Sequence, residues 1–135
     1  MNYCFTRPVD AVEEPFHILC VDDEENILKS LRRLFRRESF RVLTATSGRE
    51  GLEILQKTSG IALILSDQRM PEMSGSAFLE AAKAFAPGIP KMILTGYADV
   101  QSAADAIEQG GAYRIIAKPW DDKELLQAVR ELTRQ

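Results

Sequence analysis

The chain has 135 residues, 45% of them hydrophobic and 27% charged, with a formal net charge of −3. That is the length of a single domain, able to bury roughly two thirds of the surface its unfolded chain exposes. So mild an acidity leaves no electrostatic footprint for nucleic acid, no basic amphipathic stretch marks a membrane surface, and no apolar run approaches the ~20 residues of a membrane span.

Residues 1–15 read as a flexible N-terminal leader, with Pro8, Pro15, Asp10, Glu13 and Glu14 and none of the apolar core of a secretory signal. Cys4 lies in that leader and Cys20 in a strand-like run, so the two are poor disulfide candidates and a reduced, cytoplasmic setting is expected. Residues 16–135 are expected to form one domain in which strand and helix signals alternate five times. Short runs rich in Ile, Leu and Val predict strands at 17–21, 40–45, 61–66, 91–95 and 113–117. In 24–37, Ile27, Leu28, Leu31, Leu34 and Phe35 line one helical face and Arg32, Arg33, Arg36 and Arg37 the other. Further helices are predicted over 48–57 (Leu52, Leu55), 75–86 (Phe78, Leu79, Ala82) and 99–109 (Val100, Ala103, Ala104, Ile107), the last stopped by Gly110-Gly111. A final helix over 121–134 uses Leu125, Leu126, Val129 and Leu132 behind an Asp121 or Asp122 cap. The alternation predicts an α/β fold: a parallel sheet covered on both faces, with right-handed crossovers. Runs 61–66 and 91–95 are nearly all apolar, as doubly covered strands should be, whereas 40–45, with Arg41 and Thr44, fits an edge.

Open parallel sheets bind ligands outside the carboxyl ends of their strands, and Asp22, Asp23, Asp67, Thr95 and Lys118 all fall there. Each has a plain reading in isolation. Asp22 and Asp23 could cap the following helix, Asp67 could belong to the turn before Met70-Pro71, Thr95 could be an ordinary strand former, and Lys118 a solvated surface lysine. Together they describe a pocket. Two carboxylates ~4 Å apart at an effective dielectric of ~20 repel by about 4 kcal/mol, and three could offset a large fraction of a domain's net stability of about 5–15 kcal/mol. Either some stay protonated or a cation sits among them, and hard oxygen ligands without a His or Cys cluster favour Mg²⁺. His17, the only histidine, reads as structural and Trp120 as a packing anchor. Gly110-Gly111 lacks a following Lys-Ser/Thr, so no motif supports nucleotide binding.

With these residues in view, the chain resembles the receiver domain of two-component response regulators over about residues 16–134. The resemblance is carried by the Asp22-Asp23 pair, by Asp67 followed by Met70-Pro71 and Gly75, by Thr95-Gly96 and by Lys118-Pro119. It implies a flavodoxin-like (βα)5 doubly wound fold with strand order 2-1-3-4-5. It also implies that Asp67 accepts a phosphoryl group from a sensor histidine kinase or phosphotransfer protein. Asp22, Asp23, Asp67 and the backbone carbonyl of Arg69 would then hold Mg²⁺, Thr95 and Gly96 would meet the phosphoryl oxygens, and Lys118 would pair with them. Lys118-Pro119 is expected to be cis. The output would be a changed face of the fourth helix, fifth strand and fifth helix, read by an effector protein, a fused output domain or a dimer partner acquired on phosphorylation.

Two features are particular to this chain. The family usually places Phe or Tyr three residues before the lysine, where this chain has Ile115; Tyr113, on the same strand face, is the candidate to take over that switch. Arg69 and Tyr97, each two residues beyond a site residue, are expected to tune the lifetime of the phosphoaspartate. Two rival functions stay open. A phosphatase of the haloacid dehalogenase type would carry an acid where Arg69 stands, and Arg69 cannot protonate a leaving group. A phosphorylation-independent pseudo-receiver typically loses the acid pair, the acceptor or the lysine, all present here. A stand-alone receiver and a fragment of a longer regulator are equally open.

Overall fold

Leu63, Ile64 and Leu65 follow one another without a polar residue, so this strand sends apolar side chains to both faces and both must be covered. A computed structural model, describing residues 16–38, 40–96 and 114–133, supplies that cover. Strands β1 (Phe16–Val21), β2 (Phe40–Ala45), β3 (Ile61–Ser66), β4 (Lys91–Gly96) and β5 (Arg114–Lys118) form one parallel sheet in the order β2-β1-β3-β4-β5. The described residues contain four helices: α1 (Glu25–Arg36), α2 (Gly48–Lys57), α3 (Gly75–Ala82) and α4 (Asp122–Thr133). α1 and α4 pack on the face carrying Ile18, Cys20, Leu63, Leu65, Met92 and Leu94. α2 and α3 cover Leu19, Val21, Ile64 and Ile93 on the other, chiefly through Leu55, Phe78 and Leu79. The leader, the predicted helix over 99–109 with its glycine stop, Cys4, Tyr97 and Tyr113 lie outside the described residues.

The predicted helix over 75–86 is shorter in the structure. Regular helix ends at Ala82, and the next residues close by tighter bonds, Ala84 N–H to the Ala81 carbonyl and Phe85 N–H to that of Ala82. Pro87 follows, and the residue before a proline is disfavoured in the helical region. Lys91 completes the stop. Although 3% exposed, its ammonium donates to the carbonyls of Ala86 (3.0 Å) and Ile89 (2.9 Å), fastening the start of β4 to the end of the α3 turn. Burial, with the nearby charge of Lys83, lowers its pKa below the usual lysine value.

Strand β2 is an outer strand, as its polar content suggested. Its outward backbone is not left open: Arg32 of α1 reaches over it, donating to the Val42 carbonyl (3.2 Å) and to Thr44 Oγ1 (3.1 Å). Cys20 is buried in the middle of the sheet, and burial pushes its thiol up to about 12, so it is an inert packing residue.

Lys91→Met keeps the aliphatic stem and removes both hydrogen bonds. Leaving two buried carbonyls without a donor costs about 1–3 kcal/mol, which urea unfolding should record as a lower midpoint at an unchanged slope.

Candidate functional site

Strand register decides which side chains meet. Val21 is paired with Ser66, so the residues that follow, Asp22 and Asp67, emerge side by side at the end of the sheet. Asp67 N–H continues the ladder onto the Val21 carbonyl (2.9 Å), and Asp22 N–H onto that of Ala45 (3.0 Å). On the other side Thr95 pairs with Ala117 and Gly96 with Lys118. The carboxylate oxygens of Asp22, Asp23 and Asp67 consequently lie within 4.8 Å of one another, Asp22 and Asp67 buried and Asp23 exposed. They border a cavity of about 560 Å³ whose wall also includes Glu24, Arg69, Gly96 and Lys118.

Lys118 is the counter-charge. Its Nζ is 3.0 Å from Asp22 Oδ2, 3.6 Å from Asp67 Oδ1 and 3.8 Å from Glu24 Oε1. Burial alone would lower its pKa, but the hydrogen bond and charge of Asp22, with Asp67 and Glu24 behind them, leave it above the ordinary value. For Asp22 and Asp67 burial wins. It holds both carboxyls above their ordinary range although Lys118 and the N–H groups of Glu24 and Gln68 pull the other way. One ammonium does not neutralise this set, and a divalent cation answers the deficit. All three acidic donors are hard oxygens, so the residues fit Mg²⁺.

Thr95, at the end of β4, is fully buried, and its hydroxyl has no hydrogen-bond partner among the described residues. It lies close enough to favour the Asp67 carboxylate, yet beyond hydrogen-bond length of it. An unpaired buried hydroxyl is costly and waits for an acceptor. Asp22 also fulfils part of the plainer expectation, since its Oδ1 accepts Glu24 N–H (2.9 Å) at the start of α1. Trp120 packs against the α1–α4 core and donates through Nε1 to Asp122 Oδ1 (3.0 Å). The Lys118-Pro119 peptide is cis. Ile115 is half-buried and packs on the α2–α3 side of the sheet, while its neighbour Ile116 faces α1 and α4.

The segment after Asp67 is clamped by residues whose part the sequence did not disclose. Gln68 N–H donates to Asp67 Oδ1 (2.8 Å), and its side-chain oxygen accepts both Ser76 N–H (2.9 Å) and Ser76 Oγ (3.0 Å). Gly75 N–H donates to the Gln68 carbonyl (2.8 Å), and a Cβ on Gly75 would stand 2.2 Å from the carbonyl oxygen of Asp67. No side chain fits there. Between the two contacts Glu72 sits at φ +72°, bridged by a bond from Met73 N–H to the Pro71 carbonyl (2.7 Å). That backbone region is unfavourable for a residue with a Cβ, and the clamp on either side maintains it. Nothing in the local pattern marks Gln68 as buried, because its partner is eight residues downstream and on another element.

The family model for the response regulator receiver domain matches residues 18–130. The chain belongs to the response regulator receiver family. It is 36% identical over 122 residues to the transcriptional regulatory protein GlrR of Escherichia coli K12, a match covering 90% of this chain and 27% of that protein. It is also 36% identical over 114 residues to the hydrogenase transcriptional regulatory protein HoxA of Cupriavidus necator, covering 84% and 23%. The receiver thus spans about a quarter of the length of these curated relatives. Among solved structures, a response regulator receiver domain protein from Clostridium thermocellum superposes with a TM-score of 0.81 at 33% identity, covering 87% of this chain and 94% of that one. The signal receiver domain of an HD domain-containing protein from Pseudomonas fluorescens Pf-5 gives the same TM-score, identity and coverage. Among the described residues of the receiver, no helix is long and apolar enough to cross a membrane.

Two measurements follow from this geometry. Gln68→Leu leaves the Ser76 N–H and hydroxyl without their acceptor and should lower stability by about 1–3 kcal/mol in urea unfolding. The second concerns pH. Asp22 and Asp67 have folded-state pKa values raised above the unfolded value of 3.8, so below neutrality the folded chain binds more protons than the unfolded one. Without metal, stability should therefore rise as pH falls from neutral through the raised folded values, levelling off near 3.8 as far as these two groups are concerned. Asp67→Asn keeps the acceptor for Gln68 and removes one charge. In chelator at neutral pH it should melt about 3–6 °C higher than the parent chain, with the gap closing as the buffer is acidified.

Proposed function

We propose that this receiver takes a phosphoryl group onto Asp67 from the phosphohistidine of a sensor histidine kinase or phosphotransfer protein, in a Mg²⁺-dependent reaction in the cytoplasm. The observation that carries the reading is the convergence of Asp22, Asp23, Asp67 and Lys118 on one cavity at the carboxyl edge of the sheet. Phosphoryl transfer asks for an aligned nucleophile and neutralised oxygens more than for covalent help. Asp67 Oδ provides the nucleophile, and the Gln68 and Gly75 contacts hold its backbone still. Asp22, Asp23, Asp67 and the carbonyl of Arg69 are the residues that would hold Mg²⁺, which when bound offsets the charge arriving on the phosphoryl oxygens. Lys118 already stands between Asp22 and Asp67 and needs only a small reorientation to pair with those oxygens. The unpartnered Thr95 hydroxyl and the backbone at Gly96 supply hydrogen bonds to the same group.

Once drawn to the phosphoryl group, Thr95 moves the loop that follows it, and Ile115 and Tyr113 are the residues proposed to pass the change to the output face. Arg69, which lines the cavity, and Tyr97 are proposed to control access of water to the phosphoaspartate. The receiver would then act on an effector protein, a fused output domain or a second receiver. It is a signalling domain, with self-phosphorylation and slow self-dephosphorylation as its only chemistry. No observation favours a phosphorylation-independent module, since the acids and the lysine it could dispense with are all assembled.

Incubation with a small-molecule phosphoryl donor and Mg²⁺ should add one phosphoryl mass to the intact chain. The adduct should disappear in Asp67→Asn and in excess chelator. An adduct of equal yield in Asp67→Asn would refute the acceptor assignment.

A further inference from the structure

Glutamate is a poor helix N-cap, and Glu24, which occupies that position on α1, makes no capping hydrogen bond with its side chain. The carboxylate is directed elsewhere. Its Oε1 lies 3.8 Å from Lys118 Nζ, and its backbone N–H is held by Asp22 Oδ1 at 2.9 Å, so a residue of the acidic site positions it. Glu24 also has a particular place in the surface. The acidic cavity of about 560 Å³ adjoins a second one of about 660 Å³ that runs along α1 to Trp120, and Glu24, Gly96 and Lys118 are the wall common to both. The side chain itself is two-thirds exposed. A donor entering the acidic cavity from this side therefore passes a mobile-length carboxylate at the lip, in addition to the acids within.

We propose that Glu24 selects among phosphoryl donors: its carboxylate favours donors whose leaving atom is an N–H-bearing nitrogen and disfavours dianionic acyl phosphates. The proposal rests on Asp67 being the acceptor. In-line displacement places the leaving atom opposite Asp67 Oδ, hence on the outer side of the cavity, where Glu24 stands. With phosphoramidate the new bond is Asp67 Oδ–P and the broken bond is P–N. The P–N electron pair leaves on nitrogen, which already carries its protons and departs as ammonia, so no further proton is required. A carboxylate near that nitrogen attracts the cationic end of the incoming donor. With acetyl phosphate the bond broken is P–O, the leaving group is acetate, and the same carboxylate faces a dianion on entry and a second anion on exit. Glu24 is then repulsive throughout. The selection acts on the second-order rate constant, because it compares the free donor with the transition state.

The experiment measures that constant for acetyl phosphate and for phosphoramidate, at saturating Mg²⁺, on the full chain and on Glu24→Gln. The expected result is an acetyl phosphate constant raised about three- to tenfold and a phosphoramidate constant lowered by about twofold, so that their ratio moves by roughly one order of magnitude. Glu24→Asp should retain most of the parent ratio. Added KCl should narrow the difference between parent and Glu24→Gln, since the effect is between exposed charges. Calorimetric titration with Mg²⁺ alone separates a change in metal affinity, which would scale both donors together. Parallel changes for the two donors, or an unchanged ratio in a parent chain that is labelled at Asp67, overturn the proposal while leaving the acceptor reading intact. Failure of both donors to label the parent chain overturns the acceptor reading and this proposal with it.

Discussion

Like charges held together at the ends of neighbouring strands are the constraint around which this molecule is organised. Backbone pairing of β1 with β3 delivers Asp22 and Asp67 to the same place whatever their side chains prefer. The sheet's hydrogen bonds and its two apolar faces supply the energy that keeps them there. A repulsion of several kcal/mol is tolerable in a domain whose core includes Phe35, Phe78 and a continuous band of leucine, isoleucine and methionine, all buried. The result is a site that is poor in cations relative to anions, and its affinity for Mg²⁺ and a phosphoryl group follows from that imbalance.

Rigidity is distributed unevenly about this centre. The acceptor side is immobilised three times over: by the ladder bond to Val21, by Gln68 reaching Ser76, and by the absence of space at Gly75. The opposite side is held more loosely. Lys118 has three anions within 4.0 Å and so more than one acceptable position, and Thr95 has an unused hydroxyl. A nucleophile should not move during in-line attack, whereas residues that register the product must. The two halves of the site differ in the way those tasks require.

Much of this was legible in the sequence, for reasons that are local. Period and composition placed all five strands to within a residue or so, because doubly buried strands such as Ile61–Ser66 carry no polar residue and end abruptly at one. Asp22, Asp67, Thr95 and Lys118 were visible as polar residues terminating apolar runs. What stayed hidden depends on partners distant in the chain. Gln68 reads as an ordinary turn residue until Ser76 is brought to it, and Lys91 as a surface lysine until the α3 turn folds over its ammonium. Glu24 reads as the first residue of a helix, and only the fold places Lys118, 94 positions later by number, beside its carboxylate. The over-long helix at 75–86 reflects apolar residues that continue past the true end, where the following proline rather than the pattern sets the boundary.

The guanidinium of Arg32 lying across the outer side of β2 has a consequence for how copies of this chain can associate. Lengthening the sheet from that margin would require an incoming strand to evict an arginine from a backbone carbonyl and a threonine hydroxyl and to leave its charge unsatisfied. Assembly by strand addition is therefore closed on this flank, and contacts between molecules are channelled to helical surfaces, where a change of state can be read without unpicking the sheet.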